Sequence, residues 1–90
     1  MEKRKITKEL IAEYKKHLEQ EEKSKTTTEK YLRDVGAFSQ YVSDQAMTKN
    51  TVIAYKNHLL ETGYAHRSIN SMLASLHSFF VFAGWHDCKV

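Results

Sequence analysis

Two clusters of side chains in this chain have the types and spacing to do chemistry. The first is Lys25, Thr26, Thr27, Lys30 and Arg33; the second is His66, Arg67, Asn70, Ser71, Ser75 and His77. Both consist of hydrogen-bond donors (ammonium, guanidinium, amide, imidazole, hydroxyl) rather than the paired carboxylates or oriented nucleophiles that bond-breaking sites need. Donors of this kind suit a polyanion. At helical spacing, Thr26, Lys30, Arg33 and Ala37 fall on one stripe at i, i+4, i+7 and i+11. Arg67, Ser71, Ala74 and Ser78 fall on another, with Asn70 and His77 beside it. Small residues let a helix lie close in a major groove. Arg and Asn can read base edges, while Ser, Thr and Lys usually fix phosphates. The free amides at the helix starts would add phosphate donors. The same pattern also describes the solvated outer face of an ordinary helical bundle, and the stripes alone do not separate the two.

Other chemistries have less support. Histidines stand at positions 17, 58, 66, 77 and 86, but none forms a His-Glu-x-x-His pair, and Cys88 has no cysteine partner at zinc spacing. His86-Asp87-Cys88 places a base beside a thiol in a terminal tail, where nothing is expected to orient them. No phosphate-binding Gly-rich loop and no dinucleotide fingerprint is present. No catalytic residue, metal or cofactor is therefore expected.

The elements that must position the two clusters are helices. Ninety residues are expected to make one domain with a modest core. With no proline and three glycines, the composition favours long helices over a strand-rich fold. The net charge of +3 and a pI near 9.0 are a mild basic bias, compatible with nucleic acid but not diagnostic. No apolar run approaches the roughly 20 residues of a membrane span, and the basic start Met1-Glu2-Lys3-Arg4-Lys5 has no apolar stretch behind it, so no secretory signal is read. A single cysteine fits a reducing, cytoplasmic setting.

The periodicity predicts four helices. The first covers about Lys8 to Glu21, with Thr7 as its cap and Leu10, Ile11, Tyr14 and Leu18 on its apolar face. After a charged connector, the second starts at Ser24 or at Thr26. Ser24 is the cap in one register; Thr26 and Glu29 make a capping box in the other. Tyr31, Val35, Phe38 and Val42 form its buried stripe. Gly36, inside it, either admits a close neighbour or is simply tolerated at a cost of about 1 kcal/mol. Ser43 to Met47 reads as a loop. Thr48 caps a third helix carrying Val52, Tyr55 and Leu59, and Gly63 ends it. The fourth runs from about His66 to Ala83 with Ile69, Met72, Leu73, Leu76, Phe79 and Phe80 inward, and Gly84 closes it. Trp85 to Val90 reads as a tail whose abrupt end suggests a piece of a longer chain. The fold class is all-α, a compact four-helix bundle.

These residues resemble the core-binding domain of the tyrosine recombinase, or phage integrase, family. Thr27-x-x-x-Tyr31-x-Arg33-Asp34-Val35-x-x-Phe38 resembles that family's second helix. Thr48 to Gly63 resembles its third, and Ser68-Ile69-Asn70 with Leu73-Ala74-Ser75-Leu76-x-x-Phe79-Phe80 its fourth. The likeness runs from about Lys8 to Ala83. It implies a SAM-like helical domain that forms one half of a clamp around duplex DNA, with the catalytic arginines, histidine and tyrosine nucleophile on a separate C-terminal domain. It also implies major-groove contact by the second and fourth helices, hence by Lys25, Thr26, Thr27, Lys30 and Arg33 and by His66, Arg67, Asn70, Ser71, Ser75 and His77. The chain departs from the family pattern at Lys25, where many relatives have proline, at Ala65, where many have Ser or Thr, and at His77, where many have arginine.

The resulting expectation for residues 1–90 is a single DNA-binding domain of a site-specific recombinase that cuts nothing itself. It would act in DNA integration and recombination by a full-length protein that assembles as a tetramer on double-stranded DNA, the fragment alone being a monomer with no membrane partner. The alternatives are a helical protein-interaction module and a stand-alone DNA-binding regulator.

Overall fold

The computed structural model describes residues 5–42 and 47–88. Four α-helices follow in order: α1 (Lys8–Gln20), α2 (Lys25–Val42), α3 (Lys49–Glu61) and α4 (His66–Ala83), with a single 3₁₀ turn at His86–Cys88. No strand occurs among the described residues. The body measures 36 × 35 × 20 Å, and the short axis is two helix layers thick.

Local signals set the starts of three of the helices. Thr7 and Thr48 cap α1 and α3, their hydroxyls accepting from the amides of Leu10 (3.0 Å) and Thr51 (3.2 Å). Ser24 accepts from the Thr27 amide at 3.1 Å, so the Ser24 register is the one adopted and the Thr26–Glu29 box is not. Ala65 precedes α4 and provides no side-chain cap.

Three helices end in the same two-bond motif, in which two amides beyond the helix fold back onto its last turn. Tyr64 and Gly63 donate to Leu59 and Leu60, Trp85 and Gly84 to Phe80 and Val81, and Lys23 and Glu22 to Leu18 and Glu19. The motif needs a left-handed residue. Gly63 and Gly84 supply it at φ 93° and 79°, but after α1 the position falls to Glu22, at φ 57°. Gly36 has no such duty. A Cβ built there would meet nothing within 4 Å, so no helix passes close and the residue is merely tolerated.

The core is continuous through all four helices. Tyr14 and Leu18 come from α1, Val35, Phe38 and Val42 from α2, Val52, Tyr55 and Leu59 from α3, and Ile69, Leu73, Leu76, Phe79 and Phe80 from α4. Aromatic rings meet edge to face at the contacts between layers. Tyr14 packs on Phe79 at 5.1 Å between centroids, and Phe38 packs on Tyr55 at 4.9 Å. The expected tail is a packed element instead. Trp85 sets its ring edge to face on Phe79 at 5.9 Å, and Cys88 is fully buried with Sγ 3.9 Å from the Met47 carbonyl. An apolar tryptophan and a small apolar thiol three residues apart can both reach the core, which explains why this segment does not fray. The predicted loop at Ser43 to Ala46 lies outside the described residues, and Met47, at its end, is buried.

Candidate nucleic-acid interface

The two donor clusters lie on α2 and α4, which pack against each other, and a polar network joins them. Asp34 stands between Tyr31 and Phe38 on the inward side of α2 and is 93% removed from solvent, at a relative exposure of 7%. A carboxylate there must be satisfied from within the protein. Its Oδ2 accepts from Lys30 Nζ at 2.7 Å and from the fully buried Ser75 Oγ at 2.7 Å. Lys30 Nζ also donates to the Ser71 carbonyl at 3.2 Å and lies 3.1 Å from Ser75 Oγ. An ammonium has three donors, and all three of these point into the protein. The network fixes α2 against α4.

This geometry divides the sequence-derived candidates. Ser75 has no exposed surface and is a strut within the fold. Lys30 is one-third exposed along its side chain, but its donors are committed to Asp34 and α4. Thr27 is half-buried, and its hydroxyl accepts from that of Ser24 at 2.8 Å. Ser71 is half-buried and contributes its carbonyl to Lys30. His77 is half-buried. Lys25, Thr26 and Arg33 on α2, and His66, Arg67 and Asn70 on α4, are exposed. Ser78, on the stripe expected to face outward, accepts a 2.9 Å hydrogen bond from the Tyr14 hydroxyl, so α1 covers that end of α4.

What remains open to solvent is a shallow groove between the N-terminal parts of the two helices. Lys30 and Arg33 line one side, and Arg67, Ser68 and Ser71 the other. Arg33 is 76% exposed and contacts Asp34 only at 3.9 Å, so its guanidinium projects from the rim. The one carboxylate in the groove wall, Asp34, is compensated by Lys30. At the α4 end, the Ile69 amide is the first to find a helical carbonyl, that of Ala65. With no side-chain cap, the amides of the first turn face outward and add the positive end of the helix dipole beside Arg67. The groove can therefore hold anionic oxygen atoms from two sides. Among the described residues, no three His, Cys, Asp or Glu side chains group as metal ligands.

Sequence reasoning overlooked Asp34 as the centre of this region. The signal was present, because an acid on the inward stripe with a lysine four residues before it demands a partner on the facing helix. Ser75 carried the same signal, lying three residues after Met72 and four before Phe79.

The family model described as phage integrase, N-terminal SAM-like domain, matches residues 11–87. The chain belongs to that family. The match takes in α2, α3 and α4 whole, α1 apart from its first residues, and the 3₁₀ turn apart from Cys88. The integrase SAM-like domain is thus an all-α bundle in this chain, as its sequence leads one to expect. No curated protein and no solved structure gives a match to the chain. Among the described residues of this integrase domain, no helix is long and apolar enough to cross a membrane.

Proposed function

We propose that residues 1–90 act as a single DNA-binding domain of an integrase-type tyrosine recombinase, gripping duplex DNA at the recombination site across the groove between α2 and α4. The observation that carries this reading is the convergence of Arg33 from one helix and Arg67 from the other on one groove, beside the uncapped first turn of α4. Lys25 and Thr26 extend the α2 rim, and His66 and Asn70 extend the α4 rim. Arg33, Lys25 and the α4 amides are assigned to phosphates, and Arg67 and Asn70 to phosphates or base edges. Lys30 acts from behind. It cancels the charge of Asp34, so that Arg33 and Arg67 set the sign of the groove, and it holds α2 and α4 at their spacing, while Ser75 supports it.

Strand cleavage is assigned to a catalytic domain elsewhere in the full-length protein, so this domain contributes grip and register. A domain with few phosphate contacts binds weakly alone and strengthens when the other half of the clamp closes on the opposite face of the duplex. The test is an NMR titration of the labelled domain with a short duplex at low and raised salt. Shifts at the start of α2 and the start of α4 that fade with salt support the reading. No shift at low salt, with the fold intact, would overturn it for this domain.

A further inference from the structure

The described part of the chain exposes four large apolar side chains, and three belong to α3 and the turn that follows it. Ile53 is 39% exposed, Leu60 38%, and Tyr64, just beyond the helix end, 47%. Ile53 and Leu60 are seven residues apart and so share one face, which flanks the buried stripe of Val52, Tyr55 and Leu59 about a quarter turn away. Asn57 lies between them, and Asn50 lies one heptad before Asn57. The face is a seam of about three turns of alternating Asn and aliphatic residues. Lys49 and Lys56 flank it on one side and Glu61 on the other. Among the described residues, neither Lys56 nor Glu61 forms an ion pair.

We propose that this face of α3 pairs, weakly and in parallel, with α3 of a second copy of the chain. The charge pattern chooses both occupant and direction. In a parallel pair, a residue flanking the seam meets the partner residue five positions further on across the seam, which brings Lys56 to the partner's Glu61, twice by symmetry. An antiparallel pair sets like flanks together and so opposes the lysines. Asn57 meets its own copy between the aliphatic layers, where a buried asparagine pair fixes register at some cost in stability. The seam offers far less than the roughly 800 Å² per partner of a stable dimer, so the contact forms at high local concentration, as between copies held on one nucleic acid. The groove between α2 and α4 takes no part, so this contact stands or falls independently of DNA binding.

The experiment is the 90-residue chain followed by NMR from micromolar to millimolar concentration, without DNA. Concentration-dependent shifts at Ile53, Asn57, Leu60 and Tyr64 are expected, and Leu60→Glu should remove them while leaving the rest of the spectrum folded. Lys56→Glu should raise the dissociation constant about tenfold, and Lys56→Glu with Glu61→Lys should restore it. Absence of shifts at millimolar concentration, or association that survives Leu60→Glu, would overturn the pairing. A double exchange that fails to restore association would overturn its parallel direction.

Discussion

Ser75 on α4 donates to the Asp34 carboxylate on α2 across 2.7 Å, and Lys30 donates to the same oxygen at the same distance. The three residues belong to one arrangement, so their substitutions should not act alike. Ser75→Ala should cost about 1.5–2 kcal/mol, the lower part of the range for a hydrogen bond to a charged group, because Lys30 still holds the carboxylate. Lys30→Met should cost more, about 2–3 kcal/mol, because it leaves a buried carboxylate with one hydroxyl and the exposed Arg33 at 3.9 Å as its remaining partners; partial exposure of the lysine keeps the loss below that of a fully buried pair. Removing both charges in Lys30→Met with Asp34→Leu should recover part of that loss. Urea unfolding of the four proteins checks the order, and a double variant less stable than Lys30→Met would contradict it.

Glycine placement offers two independent gains. Glu22 occupies a left-handed position at φ 57°, and Gly36 occupies a helix interior with free space around it. Glu22→Gly and Gly36→Ala should each stabilise the domain by about 1 kcal/mol, the first by removing strain and the second through helix propensity. The two sites share no contact, so the gains should add. Thermal unfolding of the single and double variants measures this.

Ala65 leaves the start of α4 uncapped. Ala65→Ser should therefore raise stability by about 0.5–1 kcal/mol. The new hydroxyl would also compete for the amides assigned to phosphate, so affinity for DNA should rise little or fall slightly. Unfolding and binding measured on one sample separate the two effects.

Two phenols make stability sensitive to alkali. Burial pushes Tyr14 above its ordinary 10.0, opposed in part by the Ser78 hydrogen bond. Burial pushes Tyr55 up as well, reinforced by the Asp34 carboxylate. Below pH 10 both states keep these protons. As pH rises past 10, the unfolded chain ionises while the folded protein still holds them, so stability falls. Tyr14→Phe with Tyr55→Phe should flatten the decline in melting temperature between pH 9 and 11. An unchanged slope would remove these residues as its cause.

The helices were legible in the sequence because apolar spacing and hydroxyl caps are local. Thr7, Thr48, Gly63 and Gly84 perform the roles that their positions imply. The candidate interface was legible only in outline. Whether a polar residue on α2 faces solvent or α4 depends on which turn of the partner lies opposite, and periodicity does not encode that. Lys30, on the α2 stripe, and Ser75, among the α4 donors that the family resemblance implies, therefore read as outward contacts, whereas Asp34 is their shared internal partner. The 3₁₀ turn escaped notice for a related reason, since His86-Asp87-Cys88 is too short to show a period, and Cys88 is held by long-range packing on the core.

The most direct test of the central claim is the salt dependence of duplex binding by the unaltered domain, Arg33→Ala and Arg67→Ala. Each substitution should weaken binding across unrelated duplexes and reduce the slope of log K against log salt by about 1, with the melting temperature unchanged. Equal affinity and equal slope in all three proteins would contradict a DNA grip between α2 and α4.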